Sequence, residues 1–500
     1  MKDNILHAVQ SKTVVEMYYR LWKLAVGWSA SNLSLAYEDS SCVSLFEKIL
    51  EEDDENIVLS RLLAVVVPRL NTELDNHNQR GLVINLMKAV DKIFYGIHPR
   101  RILLSPSHAD RKRIPYWLKK YRSLRADSGV FFENDQDMII LKGPLGKRAR
   151  LEFAGYGDSL EDKFSNVSVV DKAYEFNRFR VRAKMVVQGQ SPAGGYSVSE
   201  RRGRENIKVA PLAEESKHLK VDFYKRSNNN FARYSASEDL DVLKLVSELV
   251  RSDSCVDLMV LPEFLVSEAD ADQIVECFNE SGEFPKLLVC GSGATNVTSD
   301  GQAYNESRVL NDIGAELWRQ RKIQPSGLDS ETAKDYNFPP PEIGKLLLED
   351  NTSAEEIVVA DIDALGRCVI LICQDLEVSP ETLLSAFQPD WVFIPILDTG
   401  AHQGRWGHQR AFGESGRSHA RFVVVSSTAL GRLSKRNPDP VCGLMIGPKN
   451  KVAAQDNETL DDMGRLIAEL RVEKDATSRS VSIAWDQTDG RWKKTTLKGE

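Results

Sequence analysis

Five hundred residues is enough chain for two to four domains and a sizeable core. A hydrophobic share of 42% and a charged share of 28% describe an ordinary soluble globular protein, and a net charge of −8 argues against a protein devoted to nucleic acid. Seven cysteines lie scattered without Cys-x-x-Cys pairs, so neither a zinc site nor a disulfide framework is indicated, and the odd count fits a reducing compartment.

Met1 to Gln10 carries charges and no apolar core, so no signal peptide is expected. No apolar run approaches the ~20 residues needed to cross a bilayer, and the protein is expected to be cytoplasmic. Residues 1–105 read as a helical accessory domain, from apolar stretches at Val14–Trp28, Ile57–Val67 and Leu82–Phe94. His7, His77, His98 and His108 are spread out and read as surface or core residues. From 106 to 190 the pattern is mixed, with short strands at Asp137–Lys142, Arg150–Phe153 and Phe179–Val187. Arg178, Arg180, Arg182 and Lys184 stand at every second position, which on a strand puts four cations on one face. Without interleaved aromatics this reads as a solvated face rather than a nucleic-acid surface. Residues 191–206 are a linker by composition, rich in Gly, Ser and Arg.

From 207 to 486 strands and helices alternate, the pattern of a layered α/β domain, and 487–500 read as a tail. Ile207–Pro211 opens the domain, and Ser235 with Glu238 reads as a capping box before a helix through Val242 and Val250. Asp257–Glu263 is an apolar run closed by Pro262 and delivering a carboxylate. A hairpin turning at Asn311–Gly314 leads to Lys322. Ser326–Glu342, rich in proline and charge, forms a lid or rim. Val369–Ile372, four apolar residues, drives straight into Cys373, as a strand buried on both faces would. Further strands follow at Asp390–Pro395, Phe422–Ser427, Val441–Gly447 and Ala468–Val472.

An isolated cysteine of this kind is usually a core residue. A strand ending in Pro-Glu, a lysine before a proline, and a strand ending in Cys-x-Asp, in this order and spacing, resemble the nitrilase (carbon–nitrogen hydrolase) superfamily. The resemblance covers about residues 207–486. It implies a four-layer α-β-β-α sandwich, here behind an N-terminal helical and mixed accessory region, and an assembly of two or more copies. It implies a Glu263-Lys322-Cys373 triad, with Gln374 contributing a backbone N–H to the oxyanion site. A second glutamate is expected near Glu331, with Glu342 as the fallback. No cofactor and no metal are expected.

The chemistry explains the residue types. A thiol of pKa near 8.5 is only ~3% thiolate at pH 7, so a base must take its proton, and Glu263 is placed to do so. Full ionisation gains at most ~2 kcal/mol, whereas each oxyanion donor is worth ~3–4 kcal/mol, which makes Lys322 as important. The expected reaction is cleavage of a small-molecule amide or nitrile through a thioester or thioimidate. Acyl transfer from the same thioester is an alternative. Another is a silent nitrilase-fold binding or sensor protein in bacterial defence or signalling, its N-terminal domain holding a protein partner. A cysteine–histidine hydrolase using His402, His408 or His419 is disfavoured by the sequence around Cys373. Cys368 should face away from Cys373, and Trp318 and Trp391 should pack in the core.

Overall fold

The computed structural model describes residues 1–35, 39–72, 76–97, 114–127, 130–142, 160–171, 180–186, 205–251, 256–281, 285–299, 301–362, 365–377, 383–384, 387, 389–418, 420–434, 440–447, 467–472, 480–486 and 491–494. His98, His108, Arg178, Cys255, His419, the strand expected at Arg150–Phe153 and most of the linker lie outside them. Among the described residues no helix is long and apolar enough to cross a membrane.

The N-terminal helices follow their capping signals. Thr13 accepts from the Glu16 N–H before Val14–Ala25, Asp39 from Ser41 and Cys42 before Ser40–Leu50, and Asp54 from Asn56 before Glu55–Asn71. Helix Asn76–Phe94 packs on these, and Tyr116–Asp127 follows. A three-stranded sheet of β1 (Val130–Glu133), β2 (Asp137–Leu141) and β3 (Val167–Asp171) then lies between two cores. Ile139, Leu141 and Val167 join the helical core, while Met138, Ile140 and Val170 join that of the larger sheets. Alternation along one strand thus glues two bodies together. The units expected at 1–105 and 106–190 therefore share one core.

In the remainder, β4 (Arg180–Val186), β5 (Asn206–Val209), β6 (Leu219–Arg226), β7 (Asn229–Ala236), β8 (Leu258–Val260) and β9 (Leu287–Val289) come first. Then follow β10 (Gly293–Ser299), β11 (Gln302–Asn311), β12 (Glu316–Arg321), β13 (Gly327–Leu328), β14 (Leu347–Glu349), β15 (Glu356–Ile362) and β16 (Gly366–Ile370). The last are β17 (Trp391–Ile396), β18 (Arg421–Ser426), β19 (Gly443–Ile446), β20 (Ile467–Leu470), β21 (Val481–Asp486) and β22 (Arg491–Lys494).

One sheet has the order β10-β11-β9-β8-β5-β21-β22, with β12 paired to β11; the other runs β20-β19-β18-β17-β16-β15-β4. Leu258 and Val260 point into the core shared by the two sheets, whereas Met259 points out onto Val246, Leu249 and Ile274 of helices Val242–Arg251 and Glu268–Ser281. Helix Trp406–Ser418 packs on β18 and β19 of the second sheet. Strand β17 is buried at every position, which is why it reads as an unbroken apolar run.

Three boundaries differ from the sequence reading. Strand β4, upstream of the expected domain start at 207, pairs parallel with β15 from Glu356↔Arg180 to Ile362↔Val186. The segment 487–500 is no mere tail, because β22 pairs with β21. Ser235 lies inside β7, and the helix is capped instead by Asp241, which accepts from the Lys244 N–H at 2.9 Å. The hairpin β6–β7 was not anticipated at all. With β14 and β13 it forms a small four-stranded sheet. Its alternation is too polar to stand out from a loop.

Candidate active site

Glu263, Lys322 and Cys373 all sit just past the end of a strand. Strand β8 is only three residues, wholly buried, and Pro262 ends it; Glu263 is then held by its own N–H on the Ile396 carbonyl. Gly291 lies against this bend with φ +65°, and a Cβ there would come within 2.0 Å of the Pro262 carbonyl oxygen. Lys322 follows β12, its N–H donating to the Asn305 carbonyl at 2.8 Å. Cys373 begins a single 3-10 turn, Cys373–Leu376, after β16 and Leu371–Ile372. Its φ of +49°, with +67° at Phe264, puts two side-chain-bearing residues in the left-handed region, a strain of order 1–3 kcal/mol each.

The three side chains converge. Lys322 Nζ donates to Glu263 Oε1 at 2.7 Å, and the charges of both bear on the Cys373 thiol. Asn305 Nδ2 also donates to Glu263 Oε1 at 3.0 Å, and the Leu397 N–H donates to Oε2 at 2.9 Å. Glu263 and Lys322 are 0% exposed, and Cys373 is 8% exposed.

The second carboxylate on Lys322 is that of Glu349, not the Glu331 expected from the sequence. Lys322 Nζ donates to Glu349 Oε2 at 2.5 Å, and that oxygen also accepts from Ser326 N and Oγ. Glu349 Oε1 and Asn305 Oδ1 are buried without a hydrogen-bond partner. Glu331 lies exposed in the first turn of helix Ser330–Asp335, and Glu342 pairs with Lys225 and Lys345 on the surface. A signal for Glu349 is present in the sequence: Leu346–Leu348, like the run before Glu263, is an apolar run ending in a carboxylate.

Asp375 ties the lysine and cysteine ends together. Its Oδ1 accepts from the N–H groups of Ile323 and Gln324, directly after Lys322, and its Oδ2 from Ile372, directly before Cys373. Burial pushes this carboxyl up to about 7.

Burial also dominates the electrostatics of the triad. It raises the Glu263 carboxyl, opposed by Lys322 and reinforced by Glu349. Burial alone would lower Lys322, but the two carboxylates outweigh it and hold the ammonium charged. The Cys373 thiol is pushed well above its ordinary value by burial and then by Glu263, with Glu349 and Asp398 adding and Lys322 opposing. Cys373 is therefore held as a thiol beside the Glu263 carboxyl group rather than as a thiolate.

Aromatic rings close the Lys322 side, with Phe264 at 5.4 Å from Nζ and Tyr234 at 5.0 Å from Phe264. Tyr336, from the segment read as a lid or rim, donates to Asp398, which also accepts from Arg405 and Trp406. His408 Nδ1 takes the Gly404 N–H. Cys368 is buried among Asp390, Asp361 and Arg421, away from Cys373, while Trp318 and Trp391 are core residues. Gln374 is the residue after Cys373 within the same turn. Among the described residues no group of three His, Cys, Asp or Glu could hold a metal ion.

In comparison with known proteins, no family model matches the chain. No curated protein matches it either. Solved structures do. The chain is similar to a mutant of the Nesterenkonia AN1 amidase from the nitrilase superfamily, at 13% identity over 58% of this chain and 93% of that one, with a TM-score of 0.36. A second mutant of that amidase, showing covalent addition of the acetamide moiety of fluoroacetamide at the active-site cysteine, matches at 12% identity with the same coverage and score. Saccharomyces cerevisiae Nit3, a member of branch 10 of the nitrilase superfamily, matches at 15% identity over 54% of this chain and 90% of that one, with a TM-score of 0.30.

Proposed function

We propose that the chain is a carbon–nitrogen hydrolase of the nitrilase superfamily, in a four-layer α-β-β-α arrangement, that cleaves a small amide through a Cys373 thioester. The observation that carries this reading is a single ammonium, Lys322, bridging two buried carboxylates whose charges, with its own, bear on the Cys373 thiol. Glu349 Oε1 is buried beside this lysine without a hydrogen-bond partner.

The steps follow from placement. Glu263 takes the thiol proton as sulfur attacks the amide carbon, so the poorly ionised thiol is activated only with substrate in place. Lys322 and the Gln374 N–H stabilise the tetrahedral oxyanion. Glu349, through its unpartnered oxygen, accepts an N–H of the substrate amide and orients it. Glu263 returns its proton to the departing amine, then deprotonates the water that attacks the thioester, and the acid leaves with Cys373 regenerated.

The test is a screen of simple amides with both products measured, followed by intact-mass detection of an acyl adduct on Cys373. Stoichiometric acid and amine with a trapped adduct is the expected result. Acyl-enzyme formation without free acid would replace hydrolysis by transfer. No adduct on Cys373 with any amide would overturn the reading.

A further inference from the structure

Glu349 is delivered by a strand too short to hold itself. Strand β14 is three residues long, and on one side it meets only the two residues of β13. Its other side is held by β7, in parallel register from Leu347↔Asn230 to Glu349↔Ala232. The next residue turns the opposite way. The Asp350 N–H donates to the Ala232 carbonyl, and its buried carboxylate accepts from Arg233 Nε at 2.7 Å and from Gln302 Nε2 at 3.1 Å. Arg226 adds a contact at 3.5 Å. Both guanidinium groups lie over hairpin rings, Arg226 over Phe231 and Arg233 over Tyr224. Gln302 belongs to β11, the strand that also carries Asn305 against Glu263.

We infer that the hairpin β6–β7 is a strap that fixes Glu349 against Lys322, with Asp350 and Arg233 as its positioning residues. Neither touches the reacting atoms. One peptide unit couples them to one that does: Glu349 faces the lysine, Asp350 faces the strap. A charge-assisted pair on a buried acceptor is directional and strong enough to set such a register. Displacement of a reactive group by about 1 Å can cost ~100-fold in rate. The inference rests on the hydrolase reading, and its test is separable from it.

The experiment needs no substrate. The full-length protein is alkylated with iodoacetamide from pH 5 to 10, and Cys373 is followed by peptide mass spectrometry. Glu349→Gln removes a negative charge that opposes the thiolate, so its rate profile moves to lower pH. Asp350→Asn and Arg233→Met release the strap and move the profile the same way, by on the order of half a pH unit. In a Glu349→Gln background neither adds a shift, which a general loosening of the fold would not reproduce. Arg233 is 53% exposed, so its variant keeps the test available if Asp350→Asn does not fold. An unmoved profile in Glu349→Gln or in Arg233→Met overturns the inference, as does an equal strap shift in both backgrounds. Glu263→Gln, run alongside, removes the larger opposing charge and moves the profile the same way; the hydrolase proposal is read separately by acyl-adduct formation on Cys373 with an amide, and if Glu263→Gln leaves that adduct forming at the wild-type rate, that proposal fails, whatever the strap does.

Discussion

Asp91 and Glu263 are buried carboxylates in different parts of the molecule, both raised by desolvation. Asp91, on helix Asn76–Phe94, accepts the N–H groups of Ser165, Asn166 and Val167 together with Asn166 Nδ2, and so clamps the loop leading into β3. Glu263 also accepts backbone and amide donors, but it adds a lysine, and beside it Glu349 Oε1 and Asn305 Oδ1 stay unpartnered. Burial and a raised pKa therefore do not distinguish a clamp from a site. What distinguishes them is the company: Glu263 shares a buried lysine with a second buried carboxylate, beside a cysteine, whereas Asp91 binds backbone and amide donors of one loop.

Substitutions can break this contrast. Cys373→Ala should abolish amide turnover while leaving stability to unfolding within about 2 kcal/mol; wild-type turnover in that variant would remove Cys373 from the chemistry. Lys322→Ala should both stop thioester formation and destabilise the fold by roughly 3–5 kcal/mol, since two buried carboxylates lose their shared cation. A stable variant with normal acyl-enzyme formation in rapid-mixing experiments would show that the lysine is neither. Asp91→Ala should cost about 1–3 kcal/mol by orphaning its donors, with Cys373 alkylation in the folded protein unchanged; altered alkylation would mean that the two regions are coupled.

Asp375 sharpens the comparison through pH. Its folded pKa of about 7 exceeds the unfolded carboxylate value, so the folded state holds the proton more tightly. The contribution to stability is full below pH ~4 and is lost as pH rises toward ~7. Denaturant unfolding of wild type and Asp375→Asn across that range should show the wild type losing ground as pH rises, and parallel curves would mean an ordinary carboxylate. The smallest effect is expected at Glu331→Gln, an exposed position. Unchanged turnover there, set against a large loss in Glu349→Gln, would place the second glutamate on β14.

The sequence by itself was enough for everything carried by a local pattern. Apolar runs that end abruptly in a charged or nucleophilic residue give β8 with Glu263 and β16 with Cys373, and the Asn311–Gly314 turn gives the hairpin that presents Lys322. Strands buried on both faces must be apolar throughout, so their ends are conspicuous. Tertiary structure alone decided what depends on distant pairing. Glu349 follows an equally apolar run, but whether it or Glu331 reaches Lys322 turns on β14 lying beside β7, more than a hundred residues upstream. In the same way β4 joins a sheet whose other strands come from far along the chain. A short polar strand has no period strong enough to announce itself, and its partner is chosen by the packed core and by ladder bonds that exist only after folding.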